Sequence, residues 1–233
     1  MHNKILKEII SNKNKDKSTI LTRFFKTGKG QYGEGDLFLG IVVPVSRKIA
    51  QKYGDVELST ITELIKNKYH EVRLIALLIL VYKYKKSRSE IEKKNIYNFY
   101  LKNTQYINNW DLVDLSAHYT IGDYLLNKDR KVLLRLAKSK NIWERRISII
   151  STFAFIYKGE SEWTFRIVKL LINDKHDLIQ KACGWMLREV GKRVSESDLT
   201  AFLDEYSNQM PRTMLRYSIE RLSEKKRLYY LHK

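Results

Sequence analysis

Glycine and proline are scarce in this sequence: ten glycines and two prolines occur among 233 residues. β-Sandwiches and barrels need many tight turns, which these two residues supply. Their scarcity therefore predicts an all-α protein with long helices and short connections. Because 43% of the residues are hydrophobic and 12% are aromatic, the chain can bury a sizeable core, which argues against a wholly disordered protein.

Most of the chain has the helical period of apolar residues. The segment 70–86 is the clearest case, because its apolar side chains recur on one stripe and its lysines gather at the C-terminal end. A single helix is also predicted over 110–126. The Gly-rich stretch 27–36 is predicted to link an N-terminal helical unit to the rest, and we expect one domain over 1–233. Residues that suit N-caps precede several helical segments: Ser89, Asn108 or Asn109, Asn141, Asp174 or Asp177, and Ser195.

Basic residues recur near the starts of the predicted helices. Arg146 and Lys181 are 35 residues apart, as are Lys181 and Arg216, and Arg73 precedes Arg146 by about two such intervals. This period is typical of the helix pairs of a curved, HEAT-like α-solenoid, although ordinary helix-pair lengths could produce it by coincidence. On the solenoid hypothesis a basic concave face carries Arg73, Trp110 or Asp114, Arg146, and Lys181 or Trp185.

The chain is strongly basic, with 44 Lys and Arg against 26 Asp and Glu and a net charge of +18. This charge predicts a polyanionic partner, nucleic acid first and an acidic membrane second. No apolar run reaches the roughly 18 residues of a transmembrane helix, and the N-terminus lacks the apolar core of a signal peptide. The single cysteine argues against disulfides and CxxC metal sites. We therefore expect a soluble, cytoplasmic protein without metal or cofactor.

Several common motifs are absent or out of context. Gly28, Gly30 and Gly33 satisfy G-x-G-x-x-G, but a helix-like stretch precedes them instead of a strand, so we reject a dinucleotide site and interpret the segment as a flexible or phosphate-touching loop. The five histidines form no i, i+4 pair, so no zinc site is predicted. No G-x-S-x-G occurs, and a serine hydrolase is unsupported.

Trp110 and Asp114 are four residues apart and therefore share one helix face. A tryptophan beside a carboxylate is unusual in a core, yet a core Trp110 with a solvated Asp114 explains the spacing at least as well. The same alternative holds for Arg146 and for Trp185. Together with the net charge, however, the set of aromatic and charged residues indicates a nucleic-acid-binding surface.

Five segments resemble the AlkD-like family of bacterial DNA alkylation-repair proteins. They lie in the family's order along the chain: RFFKTGKGQYGEGDLFLGIVVPVSRK (23–48), HEVRLIALLILV (70–81), NWDLVD (109–114), NIWERR (141–146) and QKACGWMLREVGK (180–192).

The resemblance implies a HEAT-like-repeat alkylpurine DNA glycosylase, located with the bacterial nucleoid, that hydrolyses the N-glycosidic bond of N3- or N7-alkylated purines in double-stranded DNA without flipping the base into a pocket. It implies Asp114 as the catalytic carboxylate, Trp110 and Trp185 as active-site aromatics, and Arg146 as the phosphate-directed residue. Phe24 replaces a tyrosine found in some relatives, and the 28–35 loop is longer than in others. Further DNA contacts are expected at Lys181, Arg188, Arg73, Arg47 and Phe24.

Two other functions fit parts of the sequence. A non-catalytic HEAT-repeat protein that recognises damaged or branched DNA would share the basic surface but would need no Asp114 among the aromatics. A protein-binding scaffold would not need the charge of +18. We expect a monomer with monofunctional activity, because no lysine is marked as a Schiff-base nucleophile.

Overall fold

A computed structural model describes residues 1–233, and its regular secondary structure is helical, as the scarcity of glycine and proline predicts. The chain forms two compact units, Met1–Ser116 (unit 1) and Ala117–Lys233 (unit 2). The single domain expected from composition stays a prediction. No helix is both long enough and apolar enough to cross a membrane.

Unit 1 begins with two short helices and continues through the Gly-rich stretch to the longest helix of this unit. Its helices are α1 (His2–Ser11), α2 (Lys15–Phe24), α3 (Val43–Lys52), α4 (Leu58–Ile65), α5 (His70–Lys86), α6 (Glu90–Lys102) and α7 (Trp110–Asp114). A short 3-10 turn, Thr104–Tyr106, precedes α7.

Unit 2 begins with a π-helical turn, His118–Gly122. Its helices are α8 (Lys131–Ala137), α9 (Ile142–Ser151), α10 (Phe153–Ile156), α11 (Glu162–Leu171), α12 (Asp177–Arg193), α13 (Glu196–Tyr206), α14 (Arg212–Ile219) and α15 (Glu224–His232), with a 3-10 turn at Ser207–Gln209.

Helices α5, α9, α12 and α14 begin three or four residues before the repeated basic residues, and α7 begins midway between Arg73 and Arg146. Within unit 1, α3 and α4 pack on α5; within unit 2, α9, α11, α13 and α14 pack on α12. The all-α class is thereby confirmed, and the stacked helices are consistent with an α-solenoid.

Helix α5 is the core of unit 1. The sequence predicts one buried stripe, but every residue from His70 to Val81 is buried, so this part of the prediction is wrong. The helix is enclosed because α3 and α4 both pack against it. Each fully buried Leu or Ile contributes about 1.5–3 kcal/mol to folding, so this apolar run stabilises the unit more than an amphipathic stripe would.

The segment after the Gly-rich stretch is held by a buried carboxylate. Glu71, on the first turn of α5, accepts the backbone N–H groups of Leu39 at 2.9 Å, Gly40 at 2.8 Å and Ile41 at 3.1 Å. Gly40 has φ of +84°, and a Cβ atom there would lie 2.0 Å from the carbonyl oxygen of Asn14. Only glycine fits this close approach, which explains the glycine at position 40.

Most predicted N-caps are confirmed, and one is wrong. Ser89, Asn109, Asn141 and Ser195 accept hydrogen bonds from backbone N–H groups in the first turns of α6, α7, α9 and α13. Helix α12 is capped by His176, whose Nδ1 accepts from the N–H of Leu178 at 3.2 Å, and not by either predicted aspartate.

The helix predicted over 110–126 is interrupted. Helix α7 ends at Asp114, and a turn separates it from the π-helical turn. The Ser116 hydroxyl donates to the carbonyl of Leu112 at 2.5 Å, a bond to the i−4 position that bends helices. The interruption leaves Trp110 and Asp114 at the two ends of a five-residue helix.

Candidate functional site

Helix α7 places Trp110 and Asp114 on one face of unit 1, as their spacing predicts. The Asn109 side chain accepts the Trp110 N–H at 2.8 Å and so fixes where the helix begins. Both residues are half-buried, whereas Leu112 and Val113 between them are fully buried. The face with the indole and the carboxylate is therefore the accessible one.

Asp114 lies near the buried phenol of Tyr100. Burial raises the pKa of Tyr100 above its ordinary value, and the negative charge of Asp114 raises it further. The Tyr100 hydroxyl lies 2.8 Å from Oγ of Ser116, so it is hydrogen-bonded within the unit. Tyr100 is thus a neutral, hydrogen-bonded neighbour of the Asp114 side chain.

Three aromatic residues surround the Trp110 indole, and we call the set of Phe24, Phe25, Tyr32 and Trp110 the Trp110 corner. Phe25 stacks on the indole with ring centroids 5.2 Å apart, and Phe24 meets it edge-on at 5.9 Å. The indole Nε1 donates to the Tyr32 hydroxyl at 3.3 Å. Phe24 is 60% exposed, so the corner opens to solvent on one side.

A buried charge cluster of Asp36, His70, Arg73 and Asp111 lies beneath the corner. His70 Nδ1 lies 3.1 Å from Asp36, and His70 Nε2 lies 2.8 Å from Asp111. Arg73 binds the other oxygen of Asp36 at 2.5 Å, and Asn109 donates to Asp36 at 3.2 Å. The cluster therefore joins the end of the Gly-rich stretch, the start of α5 and the start of α7.

The cluster holds its histidine in the charged form. Burial opposes that charge, but the charge and hydrogen bond of Asp111, together with Asp36, raise the pKa of His70 to about 9. Burial likewise opposes the charge of Asp36, yet the hydrogen bond from His70 and the charge of Arg73 lower the pKa of that carboxyl. At neutral pH these groups form a network of paired charges.

The structure corrects the expected role of Arg73. The sequence predicts it on a DNA-facing surface, but its side chain is buried and bound to Asp36 and to the carbonyl oxygens of Asn67 and Lys68. A guanidinium committed in this way stabilises unit 1 and is not presented to a phosphate. Arg73 is therefore a structural residue of the charge cluster.

In unit 2, Arg146 lies on α9 and is largely buried. One of its Nη atoms donates to the carbonyl of Leu178, on the first turn of α12, at 2.5 Å. The neighbouring Arg145 binds Asp174 at 2.7 Å. Two successive arginines thus tie α9 to the start of α12, and a role of Arg146 toward phosphate stays a prediction.

Trp185 is half-buried on α12 and belongs to an aromatic and charged stripe. Its Nε1 donates to Glu189 at 3.3 Å, and Glu189 binds Arg193 at 2.6 Å. The Phe153 ring lies 5.7 Å from the Trp185 ring, and the Arg193 guanidinium stacks over Tyr157 at 4.7 Å. These residues leave an accessible aromatic surface on unit 2, since Tyr157 is 55% exposed.

The remaining predicted DNA contacts are surface residues in different settings. Lys181 pairs with Asp177 at 2.6 Å, and Arg188 pairs with Glu220. Arg47, on α3, and Phe24 are exposed. The DNA contacts expected at these four residues stay predictions.

The comparisons with known proteins agree with this arrangement of helices. A model of the family described as DNA alkylation repair enzyme matches residues 5–222. The chain belongs to the DNA alkylation repair enzyme family. Among solved structures, this DNA alkylation repair family member is similar to the "Predicted DNA alkylation repair enzyme from Enterococcus faecalis", with a TM-score of 0.70 and 15% identity over 91% of this chain and 98% of that chain. No curated protein matches the sequence.

Several residues that build the alkylation-repair protein's candidate site have no signal in the sequence. Asp36, His70 and Tyr32 are separated by tens of residues from the side chains they bind, so no local spacing marks them. The one available hint is a histidine at the start of a helix that becomes the core of unit 1. Membership of the DNA alkylation repair family implies DNA as the substrate.

Proposed function

We propose that this chain is a monofunctional DNA glycosylase that hydrolyses the N-glycosidic bond of cationic N3- or N7-alkylated purines in duplex DNA. The observation that carries the proposal is the accessible face of α7, which bears an indole and a carboxylate at its two ends. Membership of the DNA alkylation repair enzyme family supports it.

The chemistry follows from the charge of the substrate. Alkylation at N3 or N7 makes the purine cationic, so the base leaves as a neutral molecule with the electron pair of the broken bond. No general acid is then required. Positive charge develops on the deoxyribose instead, and water adds to its anomeric carbon and releases a proton, which leaves an abasic site and the free base.

Asp114 is suited to stabilise that developing charge. A carboxylate held beside the sugar stabilises an oxocarbenium-like state more than the neutral sugar, and it can orient the attacking water. The π face of Trp110 adds a cation–π contact worth about 0.5–2 kcal/mol. The Trp110 corner and the charge cluster fix the position of that face before substrate binds.

Both units supply further groups that suit DNA. Trp185 of unit 2 presents a second indole, and we infer that Lys181 and Arg188 of unit 2 and Arg47 of unit 1 act toward phosphates, the two arginines because a planar guanidinium matches phosphate geometry and the lysine as a point charge. We propose the same role for Arg146, whose largely buried guanidinium would exchange the Leu178 carbonyl for a phosphate. We propose that the sugar and backbone are held while the damaged base stays outside any pocket. Bulky adducts would then be tolerated, whereas neutral damaged bases would be released poorly.

The test is base release from duplex DNA under single-turnover conditions. Duplexes containing 7-methylguanine and 1,N6-ethenoadenine compare a cationic with a neutral lesion. Release of the first but not of the second supports the proposal. Salt-dependent binding without release of either base would instead favour a non-catalytic DNA-binding protein.

A further inference from the structure

The Gly-rich stretch is tied to the Trp110 corner through one phenol. Tyr32 accepts a hydrogen bond from the Trp110 indole Nε1 at 3.3 Å and donates one to the carbonyl oxygen of Phe24 at 3.4 Å. The hydroxyl therefore links the indole edge to the end of α2. An indole has one N–H group, so this bond uses its entire hydrogen-bonding capacity.

The loop that carries Tyr32 is anchored twice in the residues that follow it. Directly after Tyr32, Gly33 donates to the carbonyl of Lys26 at 3.2 Å, and a Cβ atom at Gly33 would lie 2.4 Å from the carbonyl oxygen of Phe25. Three residues further on, the loop ends at Asp36 in the charge cluster, which also holds the start of α7. The charge cluster therefore holds both the loop that carries Tyr32 and the helix that carries Trp110.

Two contacts then fix the indole in two directions. Phe25 stacks on its face with an interplanar angle of 25°, and Tyr32 holds its edge. Stacking alone permits the ring to slide within its plane, and the hydrogen bond at the edge prevents that movement. A cation–π contact depends on where the cation lies over the ring, so a ring fixed in both directions stabilises a charge at one place.

We propose that Tyr32 is a positioning residue for Trp110, and that the Gly-rich stretch lines one side of the candidate site on α7. This inference rests on the proposed function for its effect on catalysis. Tyr32 acts through Trp110: its hydroxyl sets the orientation of the indole that faces the sugar cation. Because Phe24 has no hydroxyl, the phenol of the Trp110 corner is supplied by Tyr32 of the Gly-rich stretch.

The first test compares Tyr32→Phe with Tyr82→Phe in the full chain. Tyr82 is a half-buried tyrosine on α5 outside the Trp110 corner. Tyr32→Phe should lower the single-turnover release of 7-methylguanine about five- to tenfold, the scale of one neutral hydrogen bond, while affinity for undamaged duplex and the melting temperature stay near wild type. The Tyr82 variant should match wild type. Equal rates for Tyr32→Phe and wild type would overturn the proposal.

A double-mutant cycle separates positioning from general loop stability. Trp110→Phe removes the N–H group, so Tyr32→Phe should cause no further loss of rate in that background. The same loss in both backgrounds would mean that Tyr32 acts elsewhere, and the proposal would be wrong.

A measurement without DNA distinguishes this inference from the proposed function. The chain has four tryptophans, and the indole N–H signal of Trp110 in a ¹H–¹⁵N spectrum is assigned as the one lost in Trp110→Phe. Tyr32→Phe should shift that signal more than the others, and Tyr82→Phe should not. An unchanged signal contradicts the contact; a shifted signal in a protein that releases no base would show that the contact exists and the glycosylase proposal fails.

Discussion

The Nε2 atom of His70 lies 2.8 Å from a carboxylate oxygen of Asp111, one residue after Trp110 on α7. The other ring nitrogen lies 3.1 Å from Asp36, at the end of the Gly-rich stretch. One buried imidazole thus bridges two carboxylates and connects the long core helix with the helix that carries the candidate catalytic residues. The charge state of His70 therefore affects how firmly α7 is held.

The first prediction concerns the pH dependence of His70. Its pKa in the folded protein is raised to about 9 from an ordinary value of 6.5. The charged His70 therefore contributes on the order of 3 kcal/mol to the free energy of unfolding. This contribution is fully present below about pH 6.5 and is lost as the pH rises through 9. NMR titration of the His70 ring should give a midpoint near 9, with the free energy of unfolding falling over the same range. A midpoint near 6.5 would contradict the bridging geometry.

Glu71 should stabilise the fold by holding the backbone of the segment that follows the Gly-rich stretch. Glu71→Gln replaces a carboxylate that accepts three successive backbone N–H groups, so it should lower the free energy of unfolding by about 2–4 kcal/mol. Chemical denaturation measures this directly. The control Glu63→Gln, at an exposed position on α4, should change stability by less than about 0.5 kcal/mol. Equal effects of the two variants would contradict the role of Glu71.

Alanine substitutions at two glycines of unit 1 distinguish the cost of a steric clash from the cost of a left-handed backbone conformation. Gly40 and Gly30 both have positive φ, but a Cβ atom at Gly40 would meet the Asn14 carbonyl, whereas the space at Gly30 is open. Gly30→Ala should cost about 1–2 kcal/mol, the strain of the left-handed region. Gly40→Ala should cost several times as much, because the α2 backbone must move. Similar unfolding midpoints for the two variants would argue against the close approach.

Because Arg73 is buried in the charge cluster, we predict that it makes no contact with DNA phosphates. Arg47→Ala should reduce the slope of log affinity against log salt by roughly 1, as expected for one lost phosphate contact. Arg73→Met should leave that slope unchanged and instead destabilise the fold by about 3–5 kcal/mol, because it breaks a buried ion pair. A reduced slope for Arg73→Met would restore the sequence-based expectation that it binds DNA.

Local features of the sequence predict the helices well. The scarcity of glycine gives the all-α class, the spacing of basic residues gives the helix starts, and the i, i+4 spacing places Trp110 and Asp114 on one face. The prediction for Trp110 and Asp114 succeeds because helical geometry relates residues only a few positions apart. The other two succeed because composition limits the class of fold and a helix pair has a characteristic length.

Contacts between distant residues could not be predicted in the same way. His70 is 34 residues from Asp36 and 41 from Asp111, and Tyr32 is 78 from Trp110, so their pairing depends on how the elements pack. The burial of Arg73 is missed for the same reason, because a cation near a helix start looks like any surface cation until its partner is known. The break after Asp114 coincides with a bond from the Ser116 hydroxyl to the Leu112 carbonyl, which no periodicity reveals.

The central claim is that the Asp114 carboxylate stabilises the positively charged sugar. The most direct measurement is the single-turnover release of 7-methylguanine from a duplex by Asp114→Asn, with Asp55→Asn, an exposed carboxylate of the same unit, as the matched control. Asp114→Asn should lose at least about a hundredfold in rate while it still binds undamaged duplex, and Asp55→Asn should match wild type. If Asp114→Asn releases the base as fast as wild type, Asp114 has no part in the reaction.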